Sequence, residues 1–298
     1  MRSALLLFLL LALPLQASDD LRKYALKLVN RERARLNLAA VKLDPEINRY
    51  AEERARQVLA GKEDGLTPYM RWSFAGKEDR VSENVAGWAV SYKPTEHALR
   101  ELVRQSHESM MTEEPPLHGR RAAILDPHAT HAGIAIVWEG KEFRLVEELV
   151  RRYVTFSQPL PRTAAAADKV LVAGRPRGSA VFDSITVHHE PLPDRSAKPA
   201  DGLPAKRKEY LPKLGSSVKP DRSGKVNYER YQYAENRFGE VDVKREGDFS
   251  FAVPFTEGPG IYTIAVWVTV PEFLTPFAAT NVSVRVEELP AVNLLPVR

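Results

Sequence analysis

Cysteine is absent from all 298 residues. That absence excludes disulfides, thiolate metal sites, a cysteine nucleophile and an acylated N-terminal cysteine, so the core alone must hold the fold. Blocks of like charge are missing too: 43 Lys and Arg are interleaved with 39 Asp and Glu, for a net charge of +4. Without a basic block or an aromatic-basic array, no nucleic-acid partner is expected. The mild positive balance suits an anionic surface such as a cell-wall polymer without requiring one. No phosphate-cradling glycine loop, dinucleotide fingerprint, nucleophile elbow or internal repeat is found.

The apolar residues present, 44% of the chain, suffice for a sizeable core, and the length suggests two domains. At the start, Arg2 precedes an apolar run from Ala4 to Leu13, then Pro14 and the small Ala17, just before Ser18-Asp19-Asp20. This is the layout of a cleaved secretory signal over residues 1–17. The run falls short of the ~20 residues that cross a bilayer, and no later segment is apolar enough to span. The mature chain is therefore expected to be secreted, or held at the cell surface or in the periplasm.

Apolar residues at three- and four-residue spacing predict a helix over Asp20 to Arg35 (Leu21, Tyr24, Ala25, Leu28, Val29) and a second one beginning at Asp44-Pro45 and ending at Gly61 (Ile47, Tyr50, Ala51, Ala55, Val58). Residues 62–84, with Gly65, Pro68 and Gly76, read as a long ordered loop. A third helix is expected from Thr95 to Met111, stopped by Pro115-Pro116, and a helical turn over Gly119 to Leu125. His131 to Glu139 and Lys141 to Tyr153 alternate like paired strands joined by a hairpin at Glu139-Gly140-Lys141.

From Ser157 the texture changes. Pro159, Pro161 and the Ala164 to Ala167 run predict a linker over residues 157–168, and residues 169–298 show only short β-branched or aromatic runs: Val170 to Ala173, Ala180 to His188, Phe249 to Val253, Ile261 to Val270 and Asn281 to Val286. Such spacing predicts an all-β, immunoglobulin-like sandwich interrupted by a long loop over about 191–225. Asn281-Val282-Ser283 has the form of a glycosylation acceptor.

Four pieces in order carry a family resemblance: Leu28-Val29-Asn30 with Arg33, Leu43-Asp44-Pro45, Ser82-Glu83-Asn84-Val85-Ala86, and His118-Gly119-Arg120-Arg121 through Ile124-Leu125-Asp126-Pro127. Together they resemble the CAP superfamily, also called the SCP or pathogenesis-related domain, in its bacterial form. The resemblance implies an α-β-α sandwich over residues 18–156, making the chain α+β with the β-sandwich behind it. It also implies a cleft lined by two histidines and two acids, in which some members hold a divalent cation. Glu83 matches the acid of the Glu-Asn box, where Ser82 replaces the usual glycine, and His118 matches the second histidine. The first histidine has no counterpart in residues 60–65.

Glu108 is the candidate for the second carboxylate and His107 for a substitute imidazole, with Asn84 and Arg33 in support. One imidazole without its partner makes a poor zinc site, so no metal and no cofactor is expected beyond a weak divalent cation. Glu83 is open to two readings, a site acid or an acceptor that pins the loop. His128 and His131 read as exposed loop histidines, and Tyr69, Trp72 and Trp138 as packing residues. The leading expectation is a noncatalytic binding module whose partner is a lipid, a cell-wall fragment or a peptide. Two alternatives stand beside it: a hydrolase, peptidase-like or metal-assisted, using His118 and Glu83, and an adhesion module carried by the β-sandwich.

Overall fold

The computed structural model describes residues 15–16, 19–62, 64–115, 118–192, 206–213, 237–244, 247–273 and 275–288. The expected signal segment, apart from Leu15–Gln16, and most of the expected 191–225 loop lie outside the described residues. In chain order the first elements are β1 (Leu15–Gln16), α1 (Asp19–Arg35), β2 (Lys42–Leu43), α2 (Pro45–Leu59), α3 (Pro68–Phe74), β3 (Arg80–Ala89), α4 (Glu96–Met111), α5 (Gly119–Ile124), β4 (His131–Glu139) and β5 (Glu142–Arg151). There follow β6 (Val154–Phe156), β7 (Thr163–Ala165), β8 (Lys169–Pro176), β9 (Val181–Glu190), β10 (Lys206–Pro212), β11 (Arg237–Val243), β12 (Phe249–Pro254), β13 (Gly260–Thr269), β14 (Phe277–Ala278) and β15 (Val282–Glu287). Two compact units result. One takes Met1–Glu63, Glu83–Leu125 and Ala132–Glu148; the other takes Asp64–Ser82, Asp126–His131 and Leu149–Arg298.

The first unit is the α+β one. Its sheet runs in the order β1-β4-β5-β3, with β2 also paired to β4. Asp44 starts α2 by accepting hydrogen bonds from the backbone N–H groups of Glu46 (2.8 Å) and Ile47 (3.1 Å), with Pro45 in the first turn, where its missing N–H is not needed. The helix then packs Ala51 and Ala55 onto Ala135 and Val137 of β4 and Val146 of β5. The intervening Ile134 and Ile136 of β4, which point to the opposite face, are also buried. Both faces of this strand are therefore covered.

Close contact between α2 and β4 requires Gly133. A Cβ placed there would lie 2.3 Å from Ile47 Cγ2 and 2.5 Å from the Ile47 carbonyl carbon and oxygen. Because backbone atoms block the space, no rotamer change relieves the clash. Gly133→Ala is expected to cost about 1–3 kcal/mol by overpacking, read as a lowered urea midpoint; an unchanged midpoint would show that α2 does not seat on this strand.

The residues of the first recognised piece are framework. Asn30 accepts from Val41 N–H (2.9 Å) and donates to Val41 O (3.0 Å), completing a strand-like pair. Arg33 is fully buried and donates to Ala39 O (2.8 Å) and Ile124 O (2.9 Å), the second being a carbonyl at the end of α5 that no further turn satisfies.

The second unit contains a large, strongly curled, mixed sheet in the order β6-β8-β12-β11-β10-β9-β13-β15-β7, with β14 paired to β13. Two corrections follow. The two separate sheets expected of an immunoglobulin-like sandwich are here one continuous half-barrel, joined by β10, which pairs antiparallel with β9 and parallel with β11. The expected 157–168 linker contains β7, which pairs parallel with β15. Curling brings strands distant in the sheet order into contact: Phe182 of β9 stacks on Phe249 of β12 at 4.8 Å. The concave face buries these rings with Tyr262, Ile264 and Val266, each large apolar side chain contributing roughly 1.5–3 kcal/mol.

Residues 68–74, expected as loop, form α3 instead. Pro68 sits in its first turn, and Met70, Trp72 and Ser73 are buried. Ser73 Oγ donates to Asn281 O (2.9 Å) and accepts from Ser283 N–H (3.0 Å), fixing the helix to β15. Asn281 is buried as well, so the glycosylation signal has no exposed acceptor. His128 is likewise not an exposed loop residue: its ring stacks on Phe277 at 3.7 Å and meets Phe273 edge-on at 4.3 Å.

Candidate functional site

Strand alternation sorts the residues of the Glu-Asn box. Val85 packs against the α2 cluster, and Glu83, two residues earlier, points the same way. Arg54 of α2 meets it there, with Nε donating to Oε2 at 3.0 Å and Nη2 to Oε1 at 3.5 Å, both side chains buried.

Asn84 faces the other side, as does Glu147 of β5, the neighbour of Val146. The Asn84 Nδ2 group donates to Arg120 O (3.2 Å) at the start of α5 and to Glu147 Oε2 (3.3 Å). Both residues are 1% exposed, and Asn84 Oδ1 has no hydrogen-bond partner among the described residues. Burial pushes the Glu147 carboxyl up to about 7, with the Asn84 hydrogen bond opposing the rise. Asn84, rather than Glu83, is thus the box residue that reaches α5.

His118 precedes α5 as its cap residue, exposed and making no side-chain capping bond. No hydrogen bond or ion pair joins it to Glu83. Glu108 lies on the exposed face of α4 in an ion pair with Arg104 one turn earlier. His107 turns inward: it is 2% exposed, neither ring nitrogen has a partner among the described residues, and burial pushes it down to about 4 against the opposing charge of Glu32. The described hydrogen bonds and ion pairs of Glu83 and Glu108 thus run to arginines, and the one interaction recorded within the candidate set is the charge of Glu108 acting on His107. Among the described residues, no group of three or more His, Cys, Asp or Glu side chains forms a metal-holding cluster.

Arg54 and Glu147 were not singled out by the sequence. Glu147 had a visible signal, because Glu147-Glu148 interrupts the apolar alternation of a strand that is otherwise buried. A charged pair inside such a strand needs partners or a neutral form.

The Asp-Pro helix start, the Glu-Asn strand and the short helix after His118 all fall within residues 26–149, which match the family model described as CAP, cysteine-rich secretory protein family. The match covers less than half of the chain, and its cysteine-free sequence departs from the family's description. Among solved structures the chain is similar to the one titled "Crystal Structure of Na-ASP-1", at 14% identity and a TM-score of 0.35 over 46% of this chain and 37% of that one. It is also similar to "Crystal Structure of Hookworm Platelet Inhibitor", at 13% identity and a TM-score of 0.31 over 44% of this chain and 69% of that one. The chain thus spans little more than a third of the first of these. No curated protein matches it. Among the described residues no helix is long and apolar enough to cross a membrane.

Proposed function

We infer that this is an exported CAP-domain protein acting as a noncatalytic binding module outside the cell or at its surface. The observation that carries the reading is the Arg54–Glu83 ion pair. A buried carboxylate already occupied by a guanidinium on both oxygens is a framework group, poorly placed to accept a substrate proton or hold a cation. His118, exposed at the head of α5, is the member of the recognised set left to meet a ligand. The ligand classes that fit the resemblance are lipids, cell-wall fragments and peptides, with the curled sheet serving as the carrier of the CAP domain.

A competitive pull-down of the full chain with lipid vesicles, glycans and wall polymers tests the reading, together with peptide-hydrolysis assays of wild type and His118→Ala. Retention by one ligand class, without turnover, is expected. Hydrolysis that disappears in His118→Ala would overturn the reading in favour of the enzyme.

A further inference from the structure

Within the second unit two arginines are anchored at the end of β14, and only one of them is satisfied. Arg151 donates from Nε and Nη2 to the two oxygens of Asp126 (2.7 and 3.0 Å) and from Nη1 to Ala278 O (3.0 Å), and its guanidinium lies 5.7 Å from the Phe277 ring centroid. Arg80 is anchored one residue further along, its backbone N–H donating to Ala279 O (3.0 Å) just after β14. Its side chain is different. Nε is buried, and among the described residues it has no hydrogen-bond partner and no ion pair reaches the guanidinium.

The charges around this pair do not balance. Among the described residues Asp126 is the acid recorded as acting on Arg80, and it is already gripped on both oxygens by Arg151. The neighbouring Arg152 is held by Asp79 at 3.0 Å. His128, which feels both arginines, is kept neutral near pH 7, since burial and the charge of Arg151 push it down to about 4. Burial and Arg151 also bring the Arg80 guanidinium down to about 10. One positive charge is therefore left half-desolvated and unmatched, a costly state that native folds seldom keep without a partner.

We propose that Arg80 is the anchor of an anion-binding site that takes a single carboxylate, received by the paired Nη groups of its guanidinium beside the Arg151–Asp126 pair. The choice of a carboxylate follows from the count of one surplus positive charge and from geometry. With Nε buried, the outer edge of the fork presents two parallel N–H donors, the spacing that matches two oxygens of one planar acid. A doubly charged phosphate would leave a negative surplus in a half-buried site.

The site is tested by thermal unfolding of the full chain in acetate or benzoate, in inorganic phosphate, and in chloride at matched ionic strength. A ligand that binds only the folded state raises its midpoint saturably, and the carboxylates are expected to raise it by about 2–4 °C beyond chloride. Arg80→Met removes the stranded charge, so it is expected to melt no lower than wild type in chloride and to lose the carboxylate-specific rise; Arg80→Lys, a point charge without the fork, is expected to keep only a small part of it. An equal rise in Arg80→Met would place the anion elsewhere. A rise in phosphate exceeding that in carboxylate, or no rise beyond chloride in wild type, would likewise overturn the proposal.

Discussion

Replacing Arg54 with alanine is expected to destabilise the chain by about 3–5 kcal/mol, the penalty for leaving one charge of a buried pair alone. The Arg54 and Glu83 side chains are both buried, and the guanidinium donates to both carboxylate oxygens. Glu83→Ala should cost a similar amount, since it strands Arg54 in its place. The pair is not a perfect one: Arg54 Nη1 is buried and has no partner among the described residues. Exchanging both residues for apolar side chains of similar bulk, Arg54→Met with Glu83→Leu, is therefore expected to recover most of the loss, because it removes two desolvated charges together. Urea midpoints of the two single variants and the double variant form the cycle that checks this. Single variants within 1 kcal/mol of wild type would mean that the pair carries no such weight and that Glu83 is free for other work.

The legible part of this protein was the part written in local chemistry. Asp44-Pro45 announces its helix because a capping carboxylate and a proline act within one turn, and strands β4, β5, β8, β9, β12 and β13 show in their β-branched and aromatic runs. What stayed hidden depends on partners far along the chain. Seven residues from Pro68 to Phe74 are too few to display a helical period, and it is β15 that makes them a buried helix through Ser73. Lys206–Pro212 has the lysine and proline content of a loop, yet pairing on both sides makes it the strand that turns two expected sheets into one. The candidate site divides in the same manner. Sequence picked out Glu83 and Asn84 as one motif, but alternation along β3 sends them to opposite faces, where Arg54 and Glu147 wait as partners that no local pattern ties to them.

Glu147→Gln is expected to stabilise the chain by about 3 kcal/mol at pH 8 and hardly at all at pH 4.5, the free energy corresponding to a carboxyl raised from its ordinary 4.5 to about 7. Burial favours the neutral acid, so the folded chain keeps a proton that the unfolded chain releases as pH passes 4.5. Between 4.5 and about 7 the folded state thus binds more protons, stability falls with rising pH, and above that window the loss is complete. Glutamine stays neutral throughout. Its oxygen can accept from Asn84 Nδ2 as the carboxylate does, and its NH2 can donate to the buried Asn84 Oδ1, which otherwise lacks a described partner. His107 acts in the opposite direction: lowered from 6.5 to about 4, it lets the unfolded chain gain a proton first as pH falls, so it weakens the fold in acid. That contribution is common to both proteins and cancels in their difference, as does the one from His128. Subtracting the stability of wild type from that of Glu147→Gln at half-unit steps from pH 4 to 9 should therefore trace a single rise centred between 4.5 and 7. A difference that stays constant with pH would instead mean that Glu147 is already ionised in the folded protein and that Asn84 holds a charge.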